Sequence, residues 1–170
     1  REDRKGYDSH LYAVRLSDGR LRQFTHGRRN DATPVFSPDG TRIAFTAKRG
    51  RLPGIHILPA DGGEARPLVE KDGIFADLSF SPDGRRVLCT FRPHDAIEKA
   101  NEKKRAKADG EDAKRPAPVF RHIDRLFYRM DGTGFFPKAE AQIWAFEVET
   151  GEGRQLTRLS RSAGQPVFSP

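Results

Sequence analysis

The sequence predicts an all-β fold: a partial β-propeller of about two full four-stranded blades plus flanking strands, with a helical or irregular insertion in one blade. Three observations carry this. The segments "PVFSPDG" (34–40), "LSFSPDG" (78–84) and "PVFSP" (166–170) set Phe36, Phe80 and Phe168 apart by 44 and then 88 residues. A second motif keeps the same register: "LYAVRLSDGRLRQFT" (11–25), "IHILPADGGEARPLV" (55–69) and "IWAFEVETGEGRQLT" (143–157), each starting 25 residues before the Phe of the next F-S-P. The third is composition, since 16 Gly and 12 Pro in 170 residues suit a turn-rich β protein better than a helical bundle.

Within one repeat the elements follow in order. "PVFS" is the first strand, and S-P-D-G turns the chain, with Pro setting φ and Gly closing the bend. "TRIAFTAK" is β-rich, with Ile43 and Phe45 on one face. "IHILPA" is the third strand, "DGGE" the next turn and "ARPLV" the fourth strand. Four short strands per period, with no helix, describe a propeller blade, and a lone blade cannot cover both of its faces. The chain divides into a blade end at 7–25, a blade at 33–69, a second at 77–157 carrying an insertion at 92–137, and the start of another at 166–170. A ring closes with at least ~4 blades. The expectation is therefore a piece of a larger ring.

The insertion is one period long, yet "KANEKKRAKADGEDA" (99–113) lacks the strand pattern and "HIDRLFY" (122–128) lacks the S-P-D-G turn, so it is not a hidden blade. Residues 95–108 predict an exposed helix capped by Asp95 with Glu98 three positions later, disorder being the alternative because Ile97 is its only large apolar residue. Residues 123–130 predict a strand and "DGTG" a turn, with helix at 118–127 as the alternative.

Charge and cysteine content narrow the function classes. The net charge is +7, but the Lys-rich segment 92–115 holds eight basic and six acidic residues, a mixed solvated face rather than a phosphate track, so nucleic acid is not expected as a partner. One cysteine, Cys89, excludes a disulfide framework and, with no signal peptide and no apolar run long enough to span a bilayer, leads us to expect a cytoplasmic protein without membrane association.

Few side chains suggest chemistry. The five histidines do not cluster with Cys89, so neither a metal site nor a Cys–His pair is expected, and no cofactor is implied. His56 stands at the repeat position of Tyr12 and Trp144, and Cys89 at that of Phe45, which makes both packing residues. Asp39, Asp83 and the Asp61–Gly62–Gly63 run serve turns. "GTG" at 132–134 has no following helix signature and is not a phosphate loop. Arg121, Arg125 and Arg129 recur every four residues and share a face. They form either a solvated face paired with Asp124, Asp131 and Glu140 or a cationic patch on the rim or inner wall of a cavity.

F-S-P-D-G followed by an apolar strand, "IHILPADGGEARPL", and "RLFYRMDGTGFF" preceding "IWAFEVETGEGRQLT" together resemble the propellers of the prolyl oligopeptidase family of serine peptidases, in its acylaminoacyl-peptidase-like branch. The resemblance covers about residues 11–170. F-S-P-D-G by itself is shared with Tol-type propellers; the insertion with "YRMDGTGF" narrows the choice. The resemblance implies a propeller that gates short peptide substrates over an α/β-hydrolase domain with a Ser, Asp, His triad, in a homo-oligomeric parent. The Ser of that triad sits in G-x-S-x-G, a motif absent here, so no catalytic residue is assigned to this chain. Arg121, Arg125 and above all Arg129, which borders the "DGTG" turn, become candidates for holding a substrate's C-terminal carboxylate. The other reading is a non-enzymatic Tol-type propeller that binds a protein partner.

Overall fold

The computed structural model describes residues 8–27, 30–107, 129–130, 134–135 and 137–169. Two antiparallel four-stranded meanders dominate it. The first is β3 (Ala32–Phe36), β4 (Arg42–Ala47), β5 (Gly54–Pro59) and β6 (Arg66–Glu70), in that order across the sheet. The second runs β7 (Gly73–Phe80), β8 (Arg86–Pro93), β11 (Gln142–Glu147) and β12 (Gly153–Gln155), also in order. Before them stands a hairpin of β1 (Tyr12–Val14) and β2 (Leu21–Gln23), and within the insertion a short hairpin pairs β9 (Arg129–Met130) with β10 (Gly134–Phe135). The segments 11–16, 42–48, 55–59, 86–91 and 143–148, expected as strands from the 44-residue register, all contain them.

The S-P-D-G turns show how a short motif fixes a fold. In the first, Ser37 Oγ donates to Asp39 Oδ1 (2.5 Å) and accepts from the Arg42 amide (2.9 Å), while Asp39 accepts from the Thr41 amide (3.0 Å). In the second, Ser81, Asp83, Arg85 and Arg86 make the same three bonds at 2.5, 3.0 and 2.9 Å. Gly40 and Gly84 take φ of 70° and 67°, a left-handed conformation that costs a residue without Cβ little. Serine and aspartate thus satisfy amides that the bend exposes, and the turn then hands the chain to a buried strand.

Each sheet buries one face against its neighbour. Ala44, Ile55, Ile57 and Leu68 of the first sheet form one core with Phe75, Phe80, Val87, Cys89, Phe91, Phe146 and Val148 around the second. The β1–β2 hairpin covers the other face of the first sheet, where Leu11 joins Ile43, Phe45, Ala47 and Leu58. That hairpin repeats the outer pair β11–β12 bond for bond. The Leu11 amide donates to Thr25 Oγ1 at 2.9 Å as Ile143 does to Thr157, and Gln23 Nε2 donates to the Thr25 carbonyl at 2.8 Å as Gln155 does to that of Thr157 at 2.7 Å. So β1 and β2 correspond to β11 and β12, the third and fourth strands of the second sheet. Large apolar side chains left exposed, such as Leu16, Leu21, Phe36 and Val167, lie on β2, on β3 and near the two ends of the described chain.

The helix expected over 95–108 is present as α1, which spans Ala96–Lys107. Asp95 Oδ1 accepts from the Ile97 and Glu98 amides, and Glu98 Oε2 accepts from the Asp95 amide, a complete capping box. Among the described residues no helix is long and apolar enough to cross a membrane.

Candidate functional site

Strand direction sorts the connections onto two faces. S-P-D-G turns and the loops after β5 and β11 share one; the links 48–53 and 71–72 and the insertion leaving β8 share the other. The second, insertion-bearing face holds the pairs Asp31–Arg49, Arg92–Glu98, Asp72–His94 and Asp72–Lys99.

On it, the first strand of each sheet contains a bulge. Register shifts between Ala32 and Val35 in β3 and between Ala76 and Ser79 in β7. Thr33 and Asp77 sit in these bulges with φ of 50° and 51°, and Gln165, at the same repeat position, has φ 51°. A left-handed conformation is uncommon for any residue with a Cβ, and its recurrence at one repeat position marks a designed feature. The bulge turns a polar side chain to the inner edge: Thr33 Oγ1 meets Thr46 Oγ1 at 2.9 Å, while Asp77 Oδ2 accepts from Thr90 Oγ1 (3.0 Å) and from the Gln165 amide (3.1 Å). Asp77 thereby ties its own blade to the segment that follows the second sheet.

Next to this edge the insertion is clamped at its root. Arg92 donates to both Glu98 oxygens at 2.8 Å. Asp72 Oδ1 lies 2.7 Å from His94 Nδ1, and Asp72 Oδ2 lies 3.1 Å from Lys99 Nζ. The hydrogen bond from His94, then that from Lys99, holds the Asp72 carboxyl below its ordinary value, and Arg92 does the same for Glu98. Asp31 and Arg49 add a further pair at 2.8 Å, with the Asp31 side chain fully buried.

None of this is a nucleophile site. Ser37 and Ser81 are committed to turns on the opposite face. Among the described residues no hydroxyl or thiol is hydrogen-bonded to the His94 ring, whose one side-chain contact is Asp72. Cys89 is wholly buried, and desolvation pushes its thiol up to about 12, in keeping with a packing residue. His56 is likewise buried, its ring centroid 5.7 Å from that of Phe45. Of the three candidate arginines, Arg121 and Arg125 lie outside the described residues; Arg129 opens β9 and pairs with Phe135 of β10.

Residues 2–113 match the family model of the TolB β-propeller domain (PD40). Over 170 residues, 99% of the chain, the sequence is 29% identical to a protein of Bacillus subtilis (strain 168) described as the uncharacterized peptidase YuxL, and it spans 25% of that protein's length. Among solved structures, an acylaminoacyl peptidase of Pyrococcus horikoshii superposes with a TM-score of 0.57 at 20% identity, over 85% of this chain and 20% of that one. A putative TolB of Agrobacterium tumefaciens superposes at 0.55 and 18% identity, over 86% of this chain and 40% of that one. The resemblance read from the sequence and the propeller fold both stand in these findings.

Proposed function

Since the chain belongs to the TolB β-propeller family, we propose that it is the propeller portion of a serine peptidase, placed over an α/β-hydrolase domain and admitting short or acylated peptides to it. The observation that carries this reading is the extent of the peptidase match. It runs across 99% of the chain, insertion and final repeat included, whereas the propeller family model ends at residue 113. A quarter-length match also leaves ample room in the parent for a catalytic domain and further blades.

In this reading the chain binds and filters, and acyl transfer is left to the hydrolase Ser and its oxyanion hole. The insertion-bearing face would lie toward the substrate path, with the bulged first strands lining it and Arg121, Arg125 and Arg129 offering guanidinium forks to a peptide carboxylate. A cytoplasmic, homo-oligomeric parent belongs to the same proposal. The test uses the complete protein, with a serine-directed fluorophosphonate and N-acetylated peptides of increasing length. Labelling of one serine in a G-x-S-x-G context, with cleavage that falls off as peptides lengthen, is expected. An unlabelled protein without such a serine would return the chain to the second reading, a partner-binding propeller, which the TolB-type family match favours.

A further inference from the structure

The two gaps between successive blades are related by the repeat, yet they are filled differently. In the second gap, Lys71 of the link after β6 lays its Nζ 3.8 Å from the Trp144 ring centroid, 5.6 Å from that of Phe146 and 5.8 Å from that of Phe91. One or two periods earlier these positions are Gly27, His56, Leu58 and Ala47. In the first gap, then, the residue that would supply the ammonium is a glycine, and the two largest rings are replaced by a histidine and a leucine. A Cβ built on Gly27 would meet nothing within 4 Å. What remains is a cavity of about 600 Å³ lined by His26, Arg49, His56, Leu58, Glu64 and Glu70, among others.

The lining is incomplete as it stands. His56 is 2% exposed, and neither ring nitrogen has a properly formed hydrogen bond; the Ala47 carbonyl near it favours the charged ring only weakly. A buried polar group of this kind carries a desolvation cost until something reaches it. Burial, and then Arg49, push the imidazole below its ordinary value, so at neutral pH it is uncharged and can accept a hydrogen bond. Arg49 is already neutralised by Asp31, with Nη2 to Oδ2 at 2.8 Å and Nε to Oδ1 at 3.3 Å. Glu64 and Glu70 have no ion-pair partner among the described residues, so the cavity is left with a negative balance. By repeat position β2 corresponds to β12, the edge strand of the second sheet.

We infer that the first inter-blade gap binds an alkylammonium group, of the kind carried by a lysine side chain. There it takes the place that Lys71 fills in the next gap: stem against Leu58, ammonium on the His56 ring nitrogen and the Glu70 carboxylate. This rests on the repeat geometry and is independent of any peptidase activity.

The test uses the complete protein and saturation-transfer NMR with titration calorimetry. The probes are Nα-acetyl-lysine methylamide and cadaverine, with Nα-acetyl-norleucine methylamide as the uncharged control. Saturable binding of either amine, at least tenfold tighter than the control and weakened at least tenfold by His56→Leu and by Glu70→Gln, is expected. The tighter of the two amines distinguishes a peptidyl lysine from a free diamine. Glu70→Gln, on an exposed position, keeps the test valid where His56→Leu disturbs folding. Equal affinity for the control, or binding unchanged in E70Q, would overturn the site. So would binding that emerges only after Arg28 and Arg29 are both replaced by Ala, because the chain would then carry its own occupant.

Discussion

Replacing Asp31 by Ala is the perturbation from which the structure says most. The Asp31 side chain is fully buried and that of Arg49 is 16% exposed, at a separation of 2.8 Å. The guanidinium also rests 4.9 Å from the Phe45 ring centroid. With an effective dielectric of about 20, the attraction at that distance is ~6 kcal/mol. Desolvating two ions offsets several kcal/mol each, so the intact pair is close to neutral while a single partner left behind is costly. D31A or Arg49→Met alone should therefore lose about 3–5 kcal/mol of local stability. The double replacement should lose much less, on the order of 1 kcal/mol, because no charge is left buried. Hydrogen exchange on the complete protein reads this locally. Amides of β3 and β4 should exchange roughly two to three and a half powers of ten faster in each single variant. Those of β8 and β11, which the pair does not touch, should stay unchanged. Exchange in the double variant as fast as in the singles would show that shape and not charge holds this corner, and the reasoning would fail.

Three further outcomes can be checked directly. With its thiol at about 12 and no exposure, Cys89 should react with a disulfide reagent at pH 8 only after denaturant is added; stoichiometric reaction in the native protein would contradict its burial. Hydrogen bonds from Ser37 and then the Thr41 amide hold Asp39 at about 2, against 3.8 unperturbed, so its contribution to stability is present above about pH 4 and is lost as pH falls through about 2. An Asp39 carboxyl signal with its midpoint near 3.8 would refute that turn geometry. Resting on the proposed peptidase reading, Arg129→Ala should lower kcat/KM tenfold or more (~1.5–3 kcal/mol) for a peptide acid but not for its amide; equal effects on both would make Arg129 a surface residue.

The parts legible in the sequence are those dictated by local chemistry repeated in register. S-P-D-G can be recognised because each of its residues has a job within five positions, and the α1 cap because Asp95 and Glu98 serve one another. The bulges were not read from the residues. Left-handed backbone is usually announced by glycine, and here it falls on Thr33, Asp77 and Gln165. The signal lay only in register: the third residue before each F-S-P phenylalanine is polar. Nor does the stretch "RRNDATPVF" distinguish a buried Asp31 from a solvated one. That depends on Arg49 arriving from a loop 18 residues on.

A repeat protein supplies its own controls, and that decides where function is to be sought. Where the copies agree, as in the two S-P-D-G turns and the β1–β2 and β11–β12 hairpins, the residues answer to the backbone, and any neighbour in the ring would need the same ones. Where the copies part company at one repeat position, the repeat itself does not explain the difference. Two places meet that description. One is the link from second to third strand, six residues at 48–53 in the first sheet and the whole insertion in the second. The other is the outer gap, Lys71 on Trp144 in one copy and Gly27 before His56 in the other. Lys71, Gly27 and the root of the insertion all lie on the insertion-bearing side, with Asp77, the His94–Asp72 clamp and Arg49, so that side is where the copies differ most and where a ligand is to be sought.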